Sequence, residues 1–169
     1  GFQHIRKAHC MFGWDWGPRL PDAGIWRPIS LVCVNEVRLE DALILQEHRD
    51  GKVFLKVTPH VECEPGAEWS WSAALTTPEG ERRPMDEDGR IVIEDPQLWW
   101  PAGYGEQPLY QVCVTVDAPD GPQQWKCRIG LRTLSVSREK DQWGEEFCHI
   151  VNGVKVFAMG GDYIPEDNL

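Results

Sequence analysis

The sequence predicts an all-β chain built around an immunoglobulin-like sandwich. Three observations carry that reading. Short apolar/polar alternations recur along the middle of the chain, turn residues separate them at close intervals, and no long helical period appears. About seven such runs within roughly 110 residues fit two packed antiparallel sheets.

The runs appear in order. Ile29–Asn35 alternates and leads to Val37 and Leu39. Ala42–Arg49 is ambiguous, because Leu43, Ile44 and Leu45 followed by Gln46-Glu47-His48 suit a short helix as well as a strand. Lys52–Thr58 and Trp69–Thr76 each alternate as a strand with one wet and one dry face does. Arg90–Glu94, Leu109–Val116 and Trp125–Leu131 complete the set. Between them stand Asp50-Gly51, Glu64-Pro65-Gly66, the polar span Pro78–Gly89 and Pro119-Asp120-Gly121-Pro122. This body is placed at residues 31–139. Further on, Asn152-Gly153 between Glu146–Val151 and Val154–Met159 is a strong hairpin signal.

Composition narrows the function classes. A formal charge of −10, with no basic cluster beyond Arg82-Arg83, argues against a nucleic-acid partner. No window approaches the ~20 apolar residues of a membrane-spanning helix, and a membrane partner is not expected. Six cysteines are widely spaced with no Cys-x-x-Cys pair, so neither a zinc knuckle nor a dithiol motif is supported. Cys33, Cys113 and Cys127 lie among alternating apolar residues and read as small hydrophobes. Free thiols, a reducing compartment and a cytoplasmic location are the expectation. The five histidines are scattered, and none is assigned a catalytic role.

The most informative stretch is Gly13-Trp14-Asp15-Trp16-Gly17-Pro18-Arg19. It sets an acid and a guanidinium beside two indoles, on a backbone that glycine and proline keep irregular. Two readings stand. Indole faces beside a carboxylate suit a sugar ring, covering its C–H face while the acid receives its hydroxyls. The same residues also suit a buried aromatic plug with an internal Asp15–Arg19 pair.

With these segments together, the chain resembles the family 2 glycoside hydrolases, and among them the β-mannosidases. The matching pieces run in family order. They are Arg6-Lys7 with Phe12–Arg19, then Gly24-Ile25-Trp26-Arg27-Pro28, then Asp95–Pro101 with Gly103-Tyr104-Gly105. Arg128–Thr133, Val151-Asn152-Gly153 and Gly160–Asp167 complete the series.

The resemblance implies that residues 1–30 end a sugar-binding-like jelly roll, 31–139 form the sandwich and 140–169 enter a TIM barrel. It implies a retaining exo-β-mannosidase acting on terminal β-D-mannose, with β-galactosidase, β-glucuronidase or a non-catalytic carbohydrate-binding module as alternatives. Retention uses two carboxyl groups about 5–5.5 Å apart, and the family's pair would lie beyond Leu169. No residue here is therefore expected to be catalytic, and the chain alone is expected to be inactive. No metal or organic cofactor is expected, and the partners are a β-mannoside and the rest of the parent chain.

By the same resemblance, Asp15 accepts hydrogen bonds from hydroxyls of the terminal mannose, and Trp14 and Trp16 share the loop, one stacking on sugar and the other buttressing the domain junction. Asp162 and Tyr163 stand at the rim of the same pocket. Glu166 and Asp167 read as loop or helix-start residues. Trp26-Arg27-Pro28 and Leu98-Trp99-Trp100-Pro101 read as structural, and Arg128 and Arg132 as partners for acids at 86–88 or Glu139.

Overall fold

The computed structural model describes residues 4–163. They form ten strands and one short 3₁₀ turn, His9–Met11, and fall into two compact units. One unit is Cys33–Ala158; the other holds the described residues 4–32 and 159–163. The chain is all-β, as its alternating runs predict.

In chain order the larger unit contains β1 (Val37–Arg49), β2 (Lys52–Cys63), β3 (Ser70–Thr76), β4 (Arg82–Pro84) and β5 (Arg90–Ile93). β6 (Tyr110–Ala118), β7 (Gly121–Ile129), β8 (Leu134–Ser137), β9 (Cys148–Val151) and β10 (Val154–Val156) follow. β1-β2-β5 form one antiparallel sheet and β4-β3-β6-β7 another. Their facing residues make one core: Val53, Leu55 and Val57 from β2, Ala73 and Leu75 from β3, Ile91 and Ile93 from β5, with Tyr110, Val112, Val114 and Leu131. Burying each such aliphatic side chain is worth about 1.5–3 kcal/mol before entropy is counted.

The ambiguous segment Ala42–Arg49 is strand. Ala42, Ile44, Gln46 and His48 are half-buried while their neighbours face solvent, a period of two that only a pleated strand produces. Pairing decides it: β1 joins β2 through Asp50-Gly51, where φ is 53° and 75°. Two successive left-handed residues give the tight hairpin whose twist matches its strands. The register slips between Leu39 and Asp41, so Glu40 is the extra residue of a bulge. The polar span at 78–89 is not all turn, because it holds the short edge strand β4.

One alternating run does not become a strand. Residues 29–35 take no regular structure, and Ile29, Leu31 and Val32 are exposed, for a strand needs a partner edge and none among the described residues pairs with them. Cys33 is accordingly exposed rather than packed, whereas Cys113 and Cys127 are half-buried in β6 and β7. Burial pushes the Cys127 thiol above its ordinary pKa.

Side-chain amides lock the seam between the two sheets. Gln123 of β7 accepts from Leu39 N at 2.9 Å and donates to Val37 O at 2.6 Å, acting as a short stretch of ladder for β1. Gln46 of β1 reaches the other way, donating to Gly130 O at 3.1 Å and accepting from Arg132 N at 3.2 Å. Those bonds orient the Gln46 amide, so His48 Nε2, 3.1 Å from Gln46 Oε1, is the donor in that contact. Tyr110, fully buried at the start of β6, accepts from Gln97 N at 2.8 Å. That bond ties the β5–β6 connection down much as the tyrosine corner of immunoglobulin-like sandwiches does.

The third sheet, β10-β9-β8, draws strands from both sides of residue 140. β9 and β10 meet at Asn152-Gly153, again with both φ values positive, at 50° and 80°. Asn152 also joins this sheet to the sandwich. It exchanges bonds with Thr133 (Asn152 N to Thr133 O, 3.1 Å; Thr133 N to Asn152 Oδ1, 3.0 Å) and donates through Nδ2 to Trp99 O at 3.0 Å. Lys155 bonds Glu146 at 2.7 Å and Glu139 at 3.1 Å, and these carboxylates raise its pKa.

Trp99 and Trp100 are structural, as the sequence suggests, and two glycines make their seats. A Cβ on Gly130 would lie 2.7 Å from the Trp99 ring, and one on Gly105 would lie 2.8 Å from that of Trp100. Arg132, expected to find an acid, instead lies over the Trp99 indole at 4.8 Å. Neither it nor Arg128 makes an ion pair among the described residues; Glu139 pairs with Lys155, and the Asp86 carboxylate accepts from Asp88 N and Arg90 N.

Gly130→Ala should therefore destabilise the chain by about 1–3 kcal/mol, read as a lower urea midpoint. Gly24→Ala, where the added methyl meets nothing within 4 Å, should leave that midpoint nearly unchanged. Acidification gives a second prediction. Burial lowers the pKa of His48, so the unfolded chain takes up that proton first and the folded state loses stability as pH falls through 6.5. Melting temperature should drop between pH 7 and 5 by a small increment that His48→Gln removes.

Candidate functional site

The residues singled out for sugar contact lie on a small hairpin in the other unit. Leu20 N donates to Met11 O at 3.0 Å, Phe12 bridges Arg19, and Trp14 N donates to Gly17 O at 3.1 Å. These pairings share one antiparallel register, and Gly17 N closes the turn on Trp14 O at 3.4 Å. Asp15 and Trp16 are thus the two central residues of a four-residue turn.

Local chemistry explains this shape. Gly13 sits at φ 107°, a conformation that side-chain-bearing residues rarely adopt, and Pro18 opposite it has no N–H to leave unpaired. With no side chain at Gly13, Arg19 lies back along the stem, its Nε 3.9 Å from where a Cβ would be. That Nε donates to Phe12 O at 3.0 Å. The guanidinium is held by the stem, and no Asp15–Arg19 ion pair forms among the described residues.

The tip is open. Asp15 is exposed in this chain, and Trp14 and Trp16 keep 64% and 40% of their surface accessible. An exposed carboxylate flanked by two accessible indoles can accept hydroxyl hydrogen bonds and offer apolar faces to a ring. The structure thereby brings Trp14, Asp15 and Trp16 together on one tip. Asp162 and Tyr163 are exposed on the second segment of the same unit. Glu166 and Asp167 lie outside the described residues. The sequence reading missed Arg19's role in the stem; the signal was the matched spacing of Gly13 and Pro18 about the turn.

Trp26 stacks with its neighbour Arg27, whose guanidinium carbon is 4.1 Å from the ring, and is 80% exposed. Among the described residues, no group of three or more His, Cys, Asp or Glu side chains is arranged to hold a metal ion. No helix there is long and apolar enough to cross a membrane.

Comparison with known proteins identifies the setting of this hairpin. A family model described as "Glycosyl hydrolase 2 galactose-binding domain-like" matches residues 1–27, and one described as "Glycosyl hydrolases family 2" matches residues 41–132. Beta-mannosidase B of Aspergillus fumigatus is 35% identical over 98% of the chain, and that of Aspergillus terreus is 32% identical over 98%. The chain spans about a fifth of those relatives, 21% and 20% respectively.

The crystal structure of β-D-mannosidase from Dictyoglomus thermophilum superposes with a TM-score of 0.82 at 30% identity, covering 96% of this chain and 22% of that one. A β-glucuronidase from Ruminococcus gnavus, with a TM-score of 0.56 at 18% identity over 74% of this chain and 20% of its own, shares the fold alone. Order of motifs, architecture and family match agree: the chain belongs to glycosyl hydrolase family 2 and is a β-mannosidase-like segment of a longer architecture.

Proposed function

We propose that this chain supplies substrate-pocket loops to a retaining exo-β-mannosidase that removes terminal non-reducing β-D-mannose residues. The observation that carries the proposal is the open hairpin tip, where Asp15 stands between Trp14 and Trp16 with no ion pair among the described residues. A carboxylate with no internal partner keeps its full accepting capacity for sugar hydroxyls. The preference for mannose over galactose or glucuronic acid draws on the β-mannosidase relatives, since the β-glucuronidase likeness extends only to fold.

In this reading, residues 1–30 close a sugar-binding-like jelly roll, 31–139 are the sandwich and 140–169 lead into the catalytic barrel. Asp162 and Tyr163 join the tip at the pocket rim, and the acid/base and nucleophile come from the remainder of the parent enzyme. Chemistry of this kind needs two carboxyl groups and no metal or organic cofactor. Six free thiols support a reducing, cytoplasmic setting.

In the full-length enzyme, Asp15→Ala should lower kcat/KM on p-nitrophenyl β-D-mannopyranoside at least about tenfold, or ~1.4 kcal/mol of transition-state binding, without lowering the melting temperature. Unchanged kinetics would remove Asp15 from the pocket. Equal activity on the β-galactoside would remove the mannose assignment. The 169-residue chain on its own should release no p-nitrophenol; turnover that Asp162→Asn abolishes would place catalysis here instead.

A further inference from the structure

Asn152-Gly153 makes the β9–β10 turn, and this dipeptide carries a chemistry of its own. The side-chain carbon of an asparagine can close a five-membered ring with the backbone nitrogen of the next residue. Most side chains crowd that approach, and glycine has none. Gly153 is exposed, and a Cβ added to it would meet nothing within 4 Å. The nucleophilic nitrogen is therefore sterically open.

The restraint comes from the electrophile. The Asn152 amide is engaged at both ends by other segments, Oδ1 accepting from Thr133 N and Nδ2 donating to Trp99 O, each at 3.0 Å. Asn152 is half-buried, and its own N donates to Thr133 O at 3.1 Å. The left-handed φ values of 50° and 80° fix the backbone of the same turn. Ring closure needs the amide to turn onto Gly153 N, and so to release both of its side-chain bonds. Attack accordingly waits on local opening of the contact between the third sheet and the sandwich.

We propose that Asn152 is a self-modification site, deamidated through Gly153 N when this contact opens, and that its product ties the third sheet to the sandwich less firmly. In the step, Gly153 N gives its proton to solvent and bonds to the Asn152 side-chain carbon. Nδ2 takes up a proton and departs as ammonia, leaving a succinimide. Water then adds to one of the two ring carbonyls and opens the ring, giving aspartate or isoaspartate. One water is consumed and one ammonia released, with no change of oxidation state. Aspartate still accepts from Thr133 N, but it sets a carboxylate oxygen against the Trp99 carbonyl, where Nδ2 had donated. Isoaspartate adds a backbone carbon to a two-residue turn, whose length fixes the register of its strands. Neither product regains the amide.

The test is peptide mapping by mass spectrometry of the full-length enzyme held in mildly alkaline buffer, with isoaspartate labelled by a protein carboxyl methyltransferase. Deamidation at Asn152 should run at least about tenfold slower in the native enzyme than in the same enzyme unfolded in urea. Gly130→Ala, whose methyl displaces the Trp99 ring, should speed it at least about threefold in native buffer. Should that variant not fold, unsubstituted enzyme in urea below its unfolding transition reads the same acceleration. Asn152→Asp should raise amide hydrogen exchange in β9 and β10 at least about tenfold. Three results would each overturn the proposal: equal rates in folded and unfolded enzyme, no modification of the unfolded enzyme, or unchanged exchange in Asn152→Asp. None of these readings involves Asp15, so the pocket role of the hairpin is decided separately.

Discussion

The close approach of the Trp99 indole to the Gly130 backbone is the constraint on which the larger unit depends. It brings the segment after β7 against the loop after β5, and the bonds that follow use the same short stretch of chain. Trp99 N donates to Leu131 O at 2.9 Å, Gln46 clasps residues 130 and 132, and Asn152 reaches both Thr133 and Trp99. A methyl group at position 130 would push the ring away and loosen these partners together. The third sheet is held to the sandwich by this arrangement of one indole, one glycine and one asparagine. It needs no buried charge.

A different economy governs the hairpin. Its register leaves only two residues at the turn, and the stem holds the Arg19 guanidinium through the Phe12 carbonyl. Asp15 is exposed and makes no ion pair among the described residues, and the indoles beside it are accessible. Burial of the tip or an internal ion pair would have stabilised the loop and removed its capacity to recognise anything. That the same turn is built by Gly13, Gly17 and Pro18 explains why the motif is spelled with glycine and proline on both sides of the tryptophans.

Much of this was legible in the chain. Asp50-Gly51 and Asn152-Gly153 mark hairpins because two successive left-handed residues exclude most side chains, and both turns form with positive φ. Ala42–Arg49 was ambiguous because a short apolar run carries no decisive period; pairing with β2 supplies what local preference lacks. Residues 29–35 misled for the opposite reason, since alternation describes a strand's faces but not whether an edge exists to receive it. The glutamine clasps were invisible, joining residues 84 to 86 positions apart through side-chain amides that have no local signature. Arg132 reads as an ion-pair partner because charge suggests charge; the Trp99 indole, distant in sequence, takes it instead.

The proposed role of the hairpin requires a direct contact between the Asp15 carboxylate and sugar. The most direct measurement is a crystal structure of the full-length enzyme bound to a mannose-configured inhibitor. The account predicts an Asp15 carboxylate oxygen within about 3 Å of a ring hydroxyl, with at least one of Trp14 and Trp16 lining the occupied pocket. An inhibitor seated with Asp15 turned to solvent, or tied to a protein cation, would contradict it.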